Sequence, residues 1–301
     1  RKILLTAIDS AGLFYGKQTL RQLATAQGIP CVEVLDNPRF AYRGMHLDVS
    51  RHFFPKEQIF KILDEMAYYK LNKFHFHLCD NGGWRIQIDK YPLLTKLGSH
   101  RMEIEWLKWW DFGDKHYVPE DTPGAYGGYY TKEDIRQIVS YAAGRHIDVI
   151  PEIEFPAHSD EVFVGYPEFC CTGRPYTTGE FCVGNPATLR FAEDVLTEIM
   201  ELFPSKYIHI GGDEARKVAW KSCPKCQHLA REVGGFEEVQ CYMIEHLELF
   251  LAEHGRVMMG WDEILKNSLR SSSVPISYRG QRGGIEGANR CLLYTSPSPR
   301  D

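Results

Sequence analysis

The feature that most restricts how this chain folds is a repeated alternation of short apolar strands with longer segments of helical period. Residues 44–49, 73–80, 146–155, 206–211, 256–261 and 275–278 read as strands. Between the first two, Pro55 opens a helix that carries Ile59, Ile62, Leu63, Met66 and Ala67 on one face. A long, aromatic, Gly-rich loop follows the second strand. Thr131 then reads as an N-cap with Asp134 in the first turn, and Ile135, Ile138, Val139 and Ala142 form the stripe behind it. Asn185-Pro186 caps a helix bearing Leu189, Ala192, Leu196, Ile199 and Phe203, and another helix spans about 236–254. Strands and helices in strict alternation predict an α/β fold built on a parallel sheet. Repeated six times, the unit predicts a (β/α)₈ TIM barrel, incomplete by its last two βα units, over residues 41–290. A doubly wound open sheet is the alternative, but no Gly-x-Gly-x-x-Gly follows the first strand. Residues 1–40 fall outside the repeat and read as the tail of a preceding domain.

Residues 291–301, Cys-Leu-Leu-Tyr-Thr-Ser-Pro-Ser-Pro-Arg-Asp, read as the in-frame translation of a transposase-based sequencing adaptor rather than as a Ser/Pro-rich linker. The natural chain is therefore expected to stop near Arg290, which accounts for the two missing units.

Bulk properties exclude several classes. A net charge of -5 with Lys and Arg scattered singly argues against a nucleic-acid partner. No apolar run approaches the ~20 residues of a membrane helix. No leader reads in residues 1–6, and the compartment is not legible. Cys223-Pro224-Lys225-Cys226 is half of a zinc ribbon, but no second Cys-x-x-Cys follows. A solvent-side loop or one local disulfide is the expected state there. No metal or cofactor is expected.

In a barrel of this kind, chemistry gathers at the C-terminal ends of the strands. Those ends carry Asp48 and Arg51, then His77 and Asp80, then Glu152, Glu154 and His158, then Asp213 and Glu214, and finally Trp261 and Glu263. Any one acidic residue there could simply cap the next helix. Five strand ends closing on ionisable groups point instead to a catalytic site. Carboxylates beside an aromatic rim suggest a sugar, with Trp261 offering a flat apolar face. Successive strand residues point to opposite faces, so Asp213 and Glu214 are not expected to flank one bond as an ordinary retaining pair does, ~5–5.5 Å apart. One would act as acid while the other steers a substrate group. The rival is a metal-dependent amidohydrolase, suggested by His75-Phe76-His77 with His158 as a further ligand; strand four, however, brings no His to its tip.

These residues give the chain its resemblance. Arg43 to Arg51 (RGMHLDVSR), His75 to Asp80 (HFHLCD), Pro151 to His158 (PEIEFPAH), His209 to Glu214 (HIGGDE) and Gly260 to Glu263 (GWDE) resemble glycoside hydrolase family 20, the exo-β-N-acetylhexosaminidases. Gly12 to Leu20 is similar to the end of that family's α+β accessory domain. The resemblance implies release of terminal β-linked GlcNAc or GalNAc from oligosaccharides or glycoconjugates. The implied mechanism retains configuration by substrate-assisted catalysis: the 2-acetamido oxygen attacks and forms an oxazolinium intermediate. It implies Glu214 as general acid and then base, and Asp213 as the group that orients the acetamide. His158 and Asp80 would relay behind Glu214, Arg51 would bind ring hydroxyls, and Trp261 would wall the acetamido pocket. Three positions depart from the pattern. Ala157 stands where Gly is usual, Asn81 where a second Asp is common, and Tyr278 where a Trp usually lines the pocket. The Tyr294-Thr295-Ser296-Pro297 segment imitates the family's seventh strand but falls in the adaptor. An inactive sugar-binding relative is the non-enzymatic alternative, and intact Asp213 and Glu214 speak against it.

Overall fold

Six strands follow one another in a single sheet: β1 (Gly44–Asp48), β2 (Lys73–His77), β3 (Asp148–Phe155), β4 (Tyr207–Gly211), β5 (Val257–Trp261) and β6 (Val274–Ile276), each parallel to its neighbours. The computed structural model describes residues 2–266, 269 and 272–290. The adaptor reading of residues 291–301 lies outside them. A parallel pair needs a crossover, and the helices supply it: α2 (Lys56–Tyr68), α3 (Lys132–Ala143), α4 (Pro186–Leu202), α5 (Pro224–Val233), α6 (Phe236–Glu253) and, after β6, α7 (Gln281–Asn289). A preceding helix, α1 (Ser10–Leu23), docks on α2 through Gln22, whose amide donates to the Tyr68 carbonyl at 2.7 Å.

The sheet curls into part of a barrel. Strands β1 and β5 are four steps apart, which would separate them by about 19 Å in a flat sheet. Yet the His46 and Trp261 rings, one from each, have centroids 5.8 Å apart. This is the curvature of an incomplete (β/α)₈ barrel. The period of two sorts side chains between its faces. Phe74 and Phe76 go outward into the large core under the helices, with Ile59, Leu63, Ile135, Ile138, Leu196 and Ile199. His75 and His77 go inward. A smaller inner cluster of Ile150, Val257, Met259, Val274 and Ile276 completes the lining.

Local signals behave as the residues dictate. Thr131 and Asp134 form a reciprocal capping box on α3. Asn185 caps α4 with Pro186 in its first turn. The Cys223–Cys226 segment departs from the solvent-side expectation. Cys223 caps α5, whose first turn carries Cys226 inward, so both thiols are buried and neither is in a disulfide. Among the described residues, no helix is long and apolar enough to cross a membrane.

Candidate active site

Register aligns one polar layer across the sheet: Asp48 beside His77, His77 beside Glu152, Glu152 beside His209. Just past β1, the Asp48 carboxylate accepts from the backbone N–H of Ser50 and Arg51 at 2.9 and 3.0 Å, folding the chain back. The Arg51 guanidinium then pairs with Asp48 at 2.7 Å and with Asp80 at 2.6 Å. Under this turn lies Arg85, fully buried, which sequence reasoning did not single out. Its guanidinium donates to the carbonyls of Val49, Ser50, Gly82, Ser99 and Gly128. The only signal for it was a charged residue between two large apolar ones, Trp84 and Ile86.

The end of β4 corrects one expectation. The strand stops at Gly211, so strand alternation no longer governs Asp213 and Glu214. Gly211, Gly212 and Glu214 all have left-handed backbones, with φ of 70°, 94° and 51°. The chain therefore turns both carboxylates toward one imidazole. His158 Nε2 lies 3.3 Å from Asp213 Oδ2 and 3.6 Å from Glu214 Oε2, while its Nδ1 faces Asp80 Oδ1 at 3.5 Å. His158 is itself left-handed, φ 54°. Non-glycine residues rarely adopt this region, and such strain collects at functional sites.

Charge follows geometry. Burial opposes a positive imidazole, but Asp80 and Asp213 outweigh it and push His158 up to about 11. Burial likewise opposes the Asp213 carboxylate, and His158 overcomes it, holding Asp213 below its ordinary value. The Asp213 side chain is 13% exposed and that of Glu214 59%. Glu214 is thus the carboxyl free to reach a bound molecule, and Asp213 the one held in place.

Beneath them sits a buried layer whose members the sequence offered as strand ends without a role. Glu152 lies 2.8 Å from His75 and 2.9 Å from His209. Burial works against its charge, yet His209, His77 and His75 hold it well below the carboxylate range. Burial drives His75 down to about 3. Glu154, 3.2 Å from His77, is raised well above the carboxylate range by burial and by the neighbouring Asp213. A Cβ at Gly211 would fall 1.8 Å from the Glu154 carboxylate, so the glycine at 211 is what lets Glu154 in. The ring nitrogens of His75 and His77 both face carboxylates here. His158, the further ligand an amidohydrolase would use, faces Asp80 and Asp213 instead.

The aromatic rim forms from β5 and the segment after β6. Trp261 meets His209 at 4.9 Å and Tyr278 edge-on at 5.5 Å. The Tyr278 hydroxyl donates to Glu263 at 3.0 Å, and the same carboxylate accepts the Glu214 backbone N–H at 3.2 Å. Glu263 therefore ties the rim to the Glu214 turn. All seven sequence candidates, Arg51, Asp80, His158, Asp213, Glu214, Trp261 and Tyr278, lie on this one end of the sheet. A cavity of about 1590 Å³ opens at the other end, among Tyr15, Lys70, Asn72 and Asp148, and none of the seven lines it.

Comparison with known proteins agrees with this arrangement. The family model "Glycosyl hydrolase family 20, catalytic domain" matches residues 40–283, and "Glycosyl hydrolase family 20, domain 2" matches residues 1–37. A beta-hexosaminidase of Porphyromonas gingivalis is 41% identical over 310 residues, covering 96% of this chain and 38% of the relative. A beta-hexosaminidase of Vibrio furnissii is 38% identical over 280 residues, covering 87% of this chain and 44% of the relative. This chain thus spans less than half the length of either. Among solved structures, a family 20 exo-β-N-acetylglucosaminidase of Vibrio harveyi, in complex with N-acetylglucosamine, aligns with a TM-score of 0.83 at 32% identity, covering 96% of this chain and 47% of that one. A β-N-acetylhexosaminidase of Bacteroides fragilis aligns with a TM-score of 0.81 at 31% identity, covering 96% and 57%. With its curled parallel sheet and these matches, the chain belongs to glycosyl hydrolase family 20.

Proposed function

We propose that this chain carries the active site of a retaining exo-β-N-acetylhexosaminidase that releases terminal β-linked GlcNAc or GalNAc from oligosaccharides or glycoconjugates. The observation that carries the reading is one imidazole, His158, facing Asp213 at 3.3 Å and Glu214 at 3.6 Å. The hexosaminidase activity named for the relatives supports it. Exposed Glu214 protonates the departing oxygen and later activates water. Asp213, fixed as a carboxylate by His158, accepts the acetamide N–H of the substrate. This sharpens the acetamide oxygen as the internal nucleophile that closes the oxazolinium ring. Asp80 and His158 hold the charge pattern behind both. Arg51, already oriented by Asp48 and Asp80, offers donors to ring hydroxyls. Trp261 and Tyr278 give the sugar an apolar wall with one hydroxyl.

The test is a pair of substitutions read on two leaving groups. Glu214→Gln should slow poor leaving groups by ~10²–10⁴-fold and an activated aryl glycoside far less. Asp213→Asn should slow both alike, because the nucleophile is misplaced whatever departs. An N-trifluoroacetyl substrate should react much more slowly than its N-acetyl counterpart. Equal rates on the two acyl groups, or a sugar ester trapped on Asp213, would overturn the assignment.

A further inference from the structure

Four of the nine cysteines, none used by the proposed reaction, converge on one point. Cys171 and Cys182 come from the long segment after β3; Cys223 and Cys226 come from the start of α5, after β4. These two segments also carry His158 and the Asp213–Glu214 pair. All four sulfurs lie within 4.8 Å of one another, and Cys182, Cys223 and Cys226 are buried. Three of the pair separations are nearly uniform: 3.7 Å for Cys171 to Cys226, 3.6 Å for Cys182 to Cys223 and 3.7 Å for Cys182 to Cys226.

We propose that Cys171, Cys182, Cys223 and Cys226 bind a structural zinc ion that fastens the two active-site loops together. A tetrahedral site with zinc–sulfur bonds of about 2.3 Å has sulfur–sulfur edges of about 3.8 Å, close to the separations found. Disulfides would sort the sulfurs into two short pairs. Here Cys182 is equally near Cys223 and Cys226, and Cys226 equally near Cys171 and Cys182, as a shared central ion requires. The Cys-Pro-Lys-Cys chelate opens a helix, and its two partners arrive on a loop folded by Phe169, whose carbonyl accepts the Cys182 N–H at 2.7 Å. Gly184 permits the close approach: a Cβ there would meet the Lys225 backbone at 2.4 Å and the Cys226 nitrogen at 2.5 Å.

On binding one zinc ion the four thiols would release four protons to solvent, leaving a doubly negative tetrathiolate with no change of oxidation state. Organic hydrogen bonds already join the same loops, from the Lys217 N–H to Glu180 at 2.8 Å and from the Trp220 indole to the Phe181 carbonyl at 2.8 Å. The ion adds a covalent-strength tie beside them. It thereby fixes the loop of His158 against the turn of Asp213.

The full-length protein, purified without chelator, should contain one zinc per chain by elemental analysis. Replacement by cobalt should give the visible bands of a tetrahedral thiolate site, with strong sulfur-to-metal charge transfer in the near ultraviolet. A mercurial that titrates thiols should release the zinc in step with four cysteines. Cys182→Ser and Cys226→Ser should each lose the metal. The cobalt spectrum and mercurial release need only the unaltered protein, so a variant that fails to fold leaves the test intact. Metal content reads this site whether or not the protein hydrolyses a sugar. Two disulfides by non-reducing mass, four thiols that react at once with no metal released, or zinc retained in a folded Cys226→Ser variant would each overturn the proposal.

Discussion

His158 should keep its proton at pH values where an ordinary histidine has lost it, and that proton should stabilise the fold. Its value rises from 6.5 to about 11 on folding. A group raised in the folded state contributes fully below its unfolded value, and the contribution falls as pH climbs toward the folded one. The loss runs at about 1.4 kcal/mol per pH unit. From pH 6.5 to 9 it therefore amounts to at most about 3 kcal/mol, out of a ceiling of about 6 kcal/mol for the whole interval. His158→Gln supplies the comparison, because an amide carries no proton that titrates here. Urea unfolding of both proteins should show the variant most destabilised at pH 6, with the gap narrowing toward pH 9. An imidazole resonance followed by NMR should stay in its protonated position throughout. A constant gap, or a resonance that titrates near 6.5, would refute the charge assignment between Asp80 and Asp213.

Arg85→Met should cost about 3 kcal/mol or more in urea unfolding, because five inward carbonyls lose their charged donor. The Val49–Ser50 turn that presents Arg51 would loosen with it, raising KM for the sugar. Gly211→Ala should destabilise by about 1–3 kcal/mol, since φ is 70° and the new methyl meets Glu154. A crystal structure of that variant with Glu154 unmoved would contradict the explanation. Thr131→Ala removes half a capping box that touches none of the seven candidate residues and should cost about 1 kcal/mol with kcat unchanged.

Much of the architecture was legible because it rests on patterns local in sequence. Capping at Thr131 and Asn185, the helix stripes and the strand runs each depend on neighbours a few residues away. The barrel ends of the strands followed from the same pattern, and with them six of the seven candidate residues; Tyr278 came from the resemblance. What was not legible depends on contacts distant in sequence. Arg85 is bound by carbonyls from five separate backbone positions, none of which advertises a need for it. Cys171 and Cys182 lie 55 and 44 residues from Cys226, so the Cys-x-x-Cys alone looked incomplete. How Asp213 and Glu214 come to share one imidazole was not legible for a local reason: the strand ends at Gly211, as read, so alternation says nothing about the two residues beyond it. The paired glycines were the available sign that alternation stops there.

The left-handed backbone of Glu214 has a consequence for anyone who evolves this protein in the laboratory. Its side chain is largely in solvent, so little packing depends on it. A left-handed conformation costs a non-glycine residue roughly 1–2 kcal/mol, and glycine relieves that cost. A library sorted only for survival on heating should therefore enrich Gly at position 214. The winners would be hardier molecules that had discarded the proposed proton donor. Screening for heat tolerance and for turnover must be coupled at this codon, because there the two selections pull in opposite directions.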